Sequence, residues 1–92
     1  MIVRILGEAQ RDLPDTALEE LNALDRIAEQ AVDAGDQAAF TAALHDLLAA
    51  VRQRGTPVAD EVLVPSDLVL PPPDATVDEV RALFDGDGLV PG

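Results

Sequence analysis

The chain has no cysteine, lysine, tryptophan or tyrosine, a single histidine and a single serine. Without cysteine there is neither a disulfide framework nor a thiolate zinc site, which fits a reducing compartment such as the cytoplasm. Without lysine the positive charge rests on Arg4, Arg11, Arg26, Arg52, Arg54 and Arg81, set against eighteen carboxylates for a formal net charge of −12. Nucleic-acid affinity grows from clustered cations that neutralise phosphates, and six scattered arginines do not supply them. Direct binding to DNA, RNA or anionic lipid is disfavoured on the same ground. No apolar run approaches the ~20 residues of a membrane span, and the first residues do not resemble a signal peptide. Aromatics amount to Phe40 and Phe84, and fifteen residues are alanine, so the core is built from small side chains. A domain of this length gains only modest stability from such a core, which leaves room for stabilisation by a partner or by self-association.

Catalytic equipment is equally sparse. His45 is the only side chain with an ordinary pKa near neutrality, and no cysteine, lysine or second histidine can serve as its partner. Ser66 stands between Pro65 and Asp67, a setting for turn-shaping hydrogen bonds, and it lacks the glycine-flanked elbow that exposes an activated serine. Asp85-Gly86-Asp87-Gly88 has the look of a calcium loop, but the chain given ends before the terminal glutamate such a loop needs. No phosphate-binding glycine motif and no zinc-ligand spacing occurs. These readings give no catalytic residue, no cofactor and no metal site.

What is present reads as a helix-dominated α+β domain spanning residues 1–92. Ile2-Val3-Arg4-Ile5-Leu6 is a β-branched strand, and Gly7-Glu8 offers a two-residue turn into a second strand, so residues 1–13 form a hairpin. Pro14 ends it, and Thr16 with Glu19 three residues later predicts a capping box at the start of helix one, residues 15–34. The predicted apolar stripe is Leu18, Leu21, Leu24, Ile27, Ala28, Ala31 and Val32, with Asp25 on the polar side. Gly35 and Asp36 suit a C-cap followed directly by an N-cap, turning the chain into helix two, residues 36–54, which buries Phe40, Ala43, Leu44, Leu47, Leu48 and Val51. Residues 56–75 are rich in proline yet carry Val62-Leu63-Val64 and Leu68-Val69-Leu70. An extended strap tied across the helices accounts for that mixture, and either triplet suits an added strand on the hairpin. Thr76 and Glu79 predict a second capping box, opening a short third helix over residues 76–85 with Val77, Val80, Leu83 and Phe84 inward, before an extended tail, residues 86–92.

Four separated segments resemble one known family: Met1-Ile2-Val3-Arg4-Ile5-Leu6-Gly7-Glu8-Ala9-Gln10, Glu20-Leu21-Asn22-Ala23-Leu24-Asp25, Leu63-Val64-Pro65-Ser66-Asp67-Leu68-Val69-Leu70-Pro71 and Gly88-Leu89-Val90-Pro91-Gly92. In this order they look like the PspA-associated domain family, PspAA, across nearly the whole chain. Ala9 stands where the family has glycine and Arg11 where an aromatic is common, departures that weaken the second hairpin strand. The resemblance implies an actinobacterial or archaeal source and a link to PspA, the phage-shock coiled-coil protein that binds and reshapes stressed membranes. It brings no catalytic residues. It implies a non-enzymatic accessory module, cytoplasmic and recruited to the membrane periphery through its partner. The segments expected to meet that partner are Leu68, Val69, Leu70 and Pro71 together with Leu89 and Val90, or else the hairpin's open edge. The competing assignment gives Leu63, Leu68, Leu70 and Leu89 to the domain's own core. A different reading of the same acidity is a regulator or nucleic-acid mimic that occupies a basic transcription factor.

Overall fold

A computed structural model describes residues 1–59 and 64–84. The fold is the helix-dominated α+β arrangement read from the sequence: a hairpin, two long helices joined by a tight turn, and a short third helix. The hairpin is β1 (Ile2–Ile5) and β2 (Gln10–Asp12), antiparallel with Val3 opposite Arg11 and Arg4 opposite Gln10. Its connection differs from the expected two-residue turn. The Glu8 N–H donates to the Ile5 carbonyl at 2.9 Å, which puts Leu6 and Gly7 at the turn centre. Gly7 has φ of 88°, a left-handed value that turns of this kind require at their third residue. Despite Ala9 and Arg11, β2 forms in a defined register.

A short 3₁₀ turn, Asp15–Ala17, leads into α1 (Leu18–Ala34), and α2 (Gln37–Arg54) follows at once. The join satisfies the orphan groups at both helix ends. Gly35, at φ of 67°, donates to the Val32 carbonyl and Asp36 N–H reaches back to Ala31, while the Asp36 carboxylate accepts from Ala39 N–H at 3.1 Å. The predicted capping box at Thr16 is absent, because the chain is already winding as a 3₁₀ turn there and no side chain caps α1. The second box forms in full: Glu79 N–H donates to Thr76 Oγ1 and Thr76 N–H to Glu79 Oε1, each at 3.1 Å, at the head of α3 (Val77–Phe84).

Two further strands enlarge the hairpin. β3 (Thr56–Pro57) pairs antiparallel with β2, and β4 (Leu68–Leu70) runs parallel to β1, giving the sheet order β3-β2-β1-β4. The second Val/Leu triplet therefore supplies a strand. Of the first triplet, Val62 and Leu63 lie outside the described residues, as does any continuous path of the strap between β3 and β4. Gly55 ends α2 against β2 so closely that a Cβ there would stand 2.8 Å from Arg11 Cβ and 3.0 Å from Leu13 Cδ1.

One core unites the inner face of this sheet with the helices. Val3, Ile5, Leu68 and Leu70 meet Leu21, Ala28, Ala31, Phe40, Leu44, Leu47, Leu48 and Val51, closed at one side by Val77 and Val80. All six apolar residues expected on the buried face of α2 are buried. On α1 two assignments change. Asp25 is 4% exposed, since it lies four residues after Leu21 and three before Ala28 and thus on the packed stripe. Ile27 falls a quarter-turn off that stripe and is 55% exposed.

Candidate interaction surface

Strand alternation divides the sheet. Val3, Ile5, Leu68 and Leu70 point to the core, while Ile2, Arg4, Gln10 and Val69 take the other side. Part of this outer side is covered. Gln10 is only 8% exposed, and its side-chain amide donates to the Val64 carbonyl at 2.9 Å and to Ser66 Oγ at 2.7 Å. The neighbouring Asp67 carboxylate accepts from Ile2 N–H at 2.8 Å. Residues 64–67 are thereby fastened to the hairpin by a buried amide and a carboxylate, contacts that span more than fifty positions of sequence.

The remainder is open. Arg4 faces Val69 directly across the β1–β4 pairing, and Leu6 follows β1 as the first residue at the turn centre, its N–H donating to the Leu70 carbonyl. Leu6 and Val69 are 40% and 38% exposed, which makes them, with Ile27, the large apolar side chains most accessible among the described residues.

The six residues expected to meet a partner divide accordingly. Leu68, Leu70 and Pro71 are buried in the domain's own core, and Val69 alone of the described four offers its side chain outward. Leu89 and Val90 lie outside the described residues. The hairpin's open edge does not exist: β4 occupies the free side of β1 and β3 that of β2. The outer strand β4 is three residues long and is followed at once by Pro71-Pro72-Pro73, which lack the N–H groups a further strand would need. Docking by strand addition at β4 is thus limited to the backbone of a single residue, Val69, and the other edge strand, β3, is two residues long and includes Pro57. Sequence reasoning missed Arg4 and Leu6; the signal for Arg4 is its parity in Ile2-Val3-Arg4-Ile5, which sets it opposite to the buried Val3 and Ile5.

The groups weighed for chemistry have other employment. Ser66 accepts the Gln10 amide, and the exposed His45 ring bonds through Nε2 to the Pro73 carbonyl at 3.3 Å. Nucleophile and base are not brought together. No cluster of metal-binding side chains occurs among the described residues, and no described helix is long and apolar enough to cross a membrane. Asp85 and Asp87 lie outside the described residues.

Arginine placement completes the electrostatics. The Glu8 carboxylate accepts from Arg52 Nε at 3.1 Å, from Arg52 Nη2, and from Arg11 Nη1 at 3.2 Å, tying the hairpin turn to the end of α2. The hydrogen bonds and charge of these guanidinium groups, Arg52 foremost, hold Glu8 below the usual carboxylate range, and Glu8 in turn raises Arg52. Arg54 pairs with Glu20, and Arg81 donates to the Val32 carbonyl at the C-terminus of α1, where the helix dipole favours a cation.

Comparison with known proteins yields a match to the family model of the PspA-associated protein, PspAA, over residues 1–92. The chain belongs to this family. The same comparisons give no match among curated proteins and none among solved structures.

Proposed function

We propose that this protein is a non-enzymatic accessory module that binds a PspA-type coiled-coil protein and tunes its action at stressed membranes. The whole-length family match carries the reading, because a PspA association belongs to the family description itself. Composition supports it. A net charge of −12 steers a small domain toward a basic partner and away from phosphate surfaces. Binding at the membrane periphery then comes through the partner, in the cytoplasm, and the domain competes with anionic lipid for the partner's arginine-rich helices.

The test uses the full chain and a PspA-type protein from the same genome. Binding is expected to weaken as salt rises, and PspA pelleting with anionic vesicles is expected to fall as the domain is added. Pelleting that stays constant at saturating domain rejects the competition. Absence of binding at low salt rejects the accessory role.

A further inference from the structure

We infer that the open half of the sheet's outer face, Arg4 and Val69, with Leu6 at the adjoining turn, is the docking surface, and that its occupant is a partner segment presenting a carboxylate between apolar side chains. This rests on the accessory reading above and names the surface and the chemistry that would carry it.

Charge complementarity identifies the occupant. In a chain with three times as many carboxylates as arginines, the described ion pairs engage Arg11, Arg52 and Arg54, and Arg81 is spent on a helix carbonyl. Arg4 has no carboxylate partner among the described residues. Two carboxylates of this region are already engaged: Asp67 accepts the Ile2 N–H, and Asp12 lies 3.6 Å from the Met1 amino group. Arg26 also lacks an ion pair among the described residues, but Glu29 stands three positions on along α1, at the spacing at which helix side chains meet. Arg4 instead has apolar surface on its β4 side, with Val69 opposite and Leu6 beyond, while on its β2 side the amide of Gln10 is spent on Val64 and Ser66. A guanidinium set among accessible aliphatic side chains is the composition of a binding anchor: the apolar rim excludes water, and the desolvated pair fixes register.

Other occupants fit less well. A second copy of the chain would bring −12 against −12 and one Arg4 against another. An anionic lipid surface would meet one cation in a field of carboxylates. The two scales of electrostatics remain compatible with a basic partner, since net charge governs approach while Arg4 reads a single acidic residue at contact.

Binding of the full-length PspA-type protein to the wild-type chain, Arg4→Glu, Arg4→Ala, Val69→Asp and Ile27→Asp decides the matter, with thermal unfolding of each as the folding control. Arg4→Glu and Val69→Asp are expected to weaken binding about tenfold or more and Arg4→Ala by less, while Ile27→Asp stays within about twofold of wild type. Wild-type binding that persists within about twofold in Arg4→Glu and Arg4→Ala overturns the surface but leaves the accessory reading standing. Loss confined to Ile27→Asp overturns it in favour of the outer face of α1. If Val69→Asp fails to fold, the two Arg4 variants decide alone, because Arg4 is exposed and outside the core. Self-association of the free chain that Arg4→Glu abolishes overturns the assigned occupant in favour of a second copy. No binding by the wild-type chain removes the accessory reading and this surface together.

Discussion

The two sides of the sheet are built from the same strands and differ in almost everything else. Leu68 and Leu70 are sealed into the core, while Val69 between them is 38% exposed. The outer side is itself uneven: at Gln10 it is roofed by residues 64–66, at Ile2 it is bonded to Asp67, and at Arg4 and Val69 it is exposed. Three consecutive residues of one strand can therefore answer to two constraints. The core sets the identity of the outer two, and only the middle one is released for contact with something else.

Substitutions that probe each side sharpen this contrast. Leu70→Ala removes a fully buried side chain facing the helices and is expected to cost about 3 kcal/mol in urea unfolding. A loss under about 1 kcal/mol would mean that the inner face relaxes around the cavity, and the contrast between the sides would fade. Gln10→Ala tests the roofed part of the outer side. It strips the Val64 carbonyl and Ser66 hydroxyl of their donor and should cost about 1.5 kcal/mol, while hydrogen exchange speeds up at Asp67 N–H, which donates to the Ile2 carbonyl.

At the hairpin turn, between the two sides, Glu8→Gln should cost about 1 kcal/mol at neutral pH. The folded-state pKa of Glu8 lies below its unfolded value, so its contribution is whole above about pH 5 and is lost as pH falls through the unfolded value toward the folded one. The wild-type chain and the Glu8→Gln variant should accordingly converge in stability on acidification, and parallel curves would show that the arginine clamp is idle. Smallest of all is Val69→Ala, expected to change stability by no more than about 0.5 kcal/mol. A larger loss would assign Val69 to the fold and weaken its claim as a contact residue.

Much of this architecture was legible, for reasons that also explain the failures. α2 carries its six core residues at helical spacing and is bounded by Asp36 and Gly55, so period and punctuation agree. α1 has more apolar positions than its buried stripe can hold, and the pattern alone did not tell Ile27 from the residues that pack, or reveal Asp25 among them. Thr16-x-x-Glu19 and Thr76-x-x-Glu79 are the same signature, yet only the second caps a helix. A 3₁₀ turn precedes α1, whereas residues 75 and 76 are outside any helix before α3. Residues 68–70 looked like a strand by composition, but their partner and direction depended on β1, more than sixty residues away. The surface was half visible for the same reason. Val69 stood in a conspicuous triplet, while Arg4 and Leu6 gained meaning only when β4 was laid beside them.

The parallel pairing of β1 with β4 also orders events in time. On a ribosome β1 is made before the rest of the sheet, and its hairpin can close within a dozen residues, yet its other flank waits until Leu70 has been made. Helices α1 and α2 are complete by then and must hold a half-finished sheet, with Val3 and Ile5 facing them and one ladder of β1 still hydrated. Such a late, long-range closure slows folding. A nascent chain halted before Leu70 would display the naked flank of β1, and quality-control proteases would meet that species instead of the finished domain.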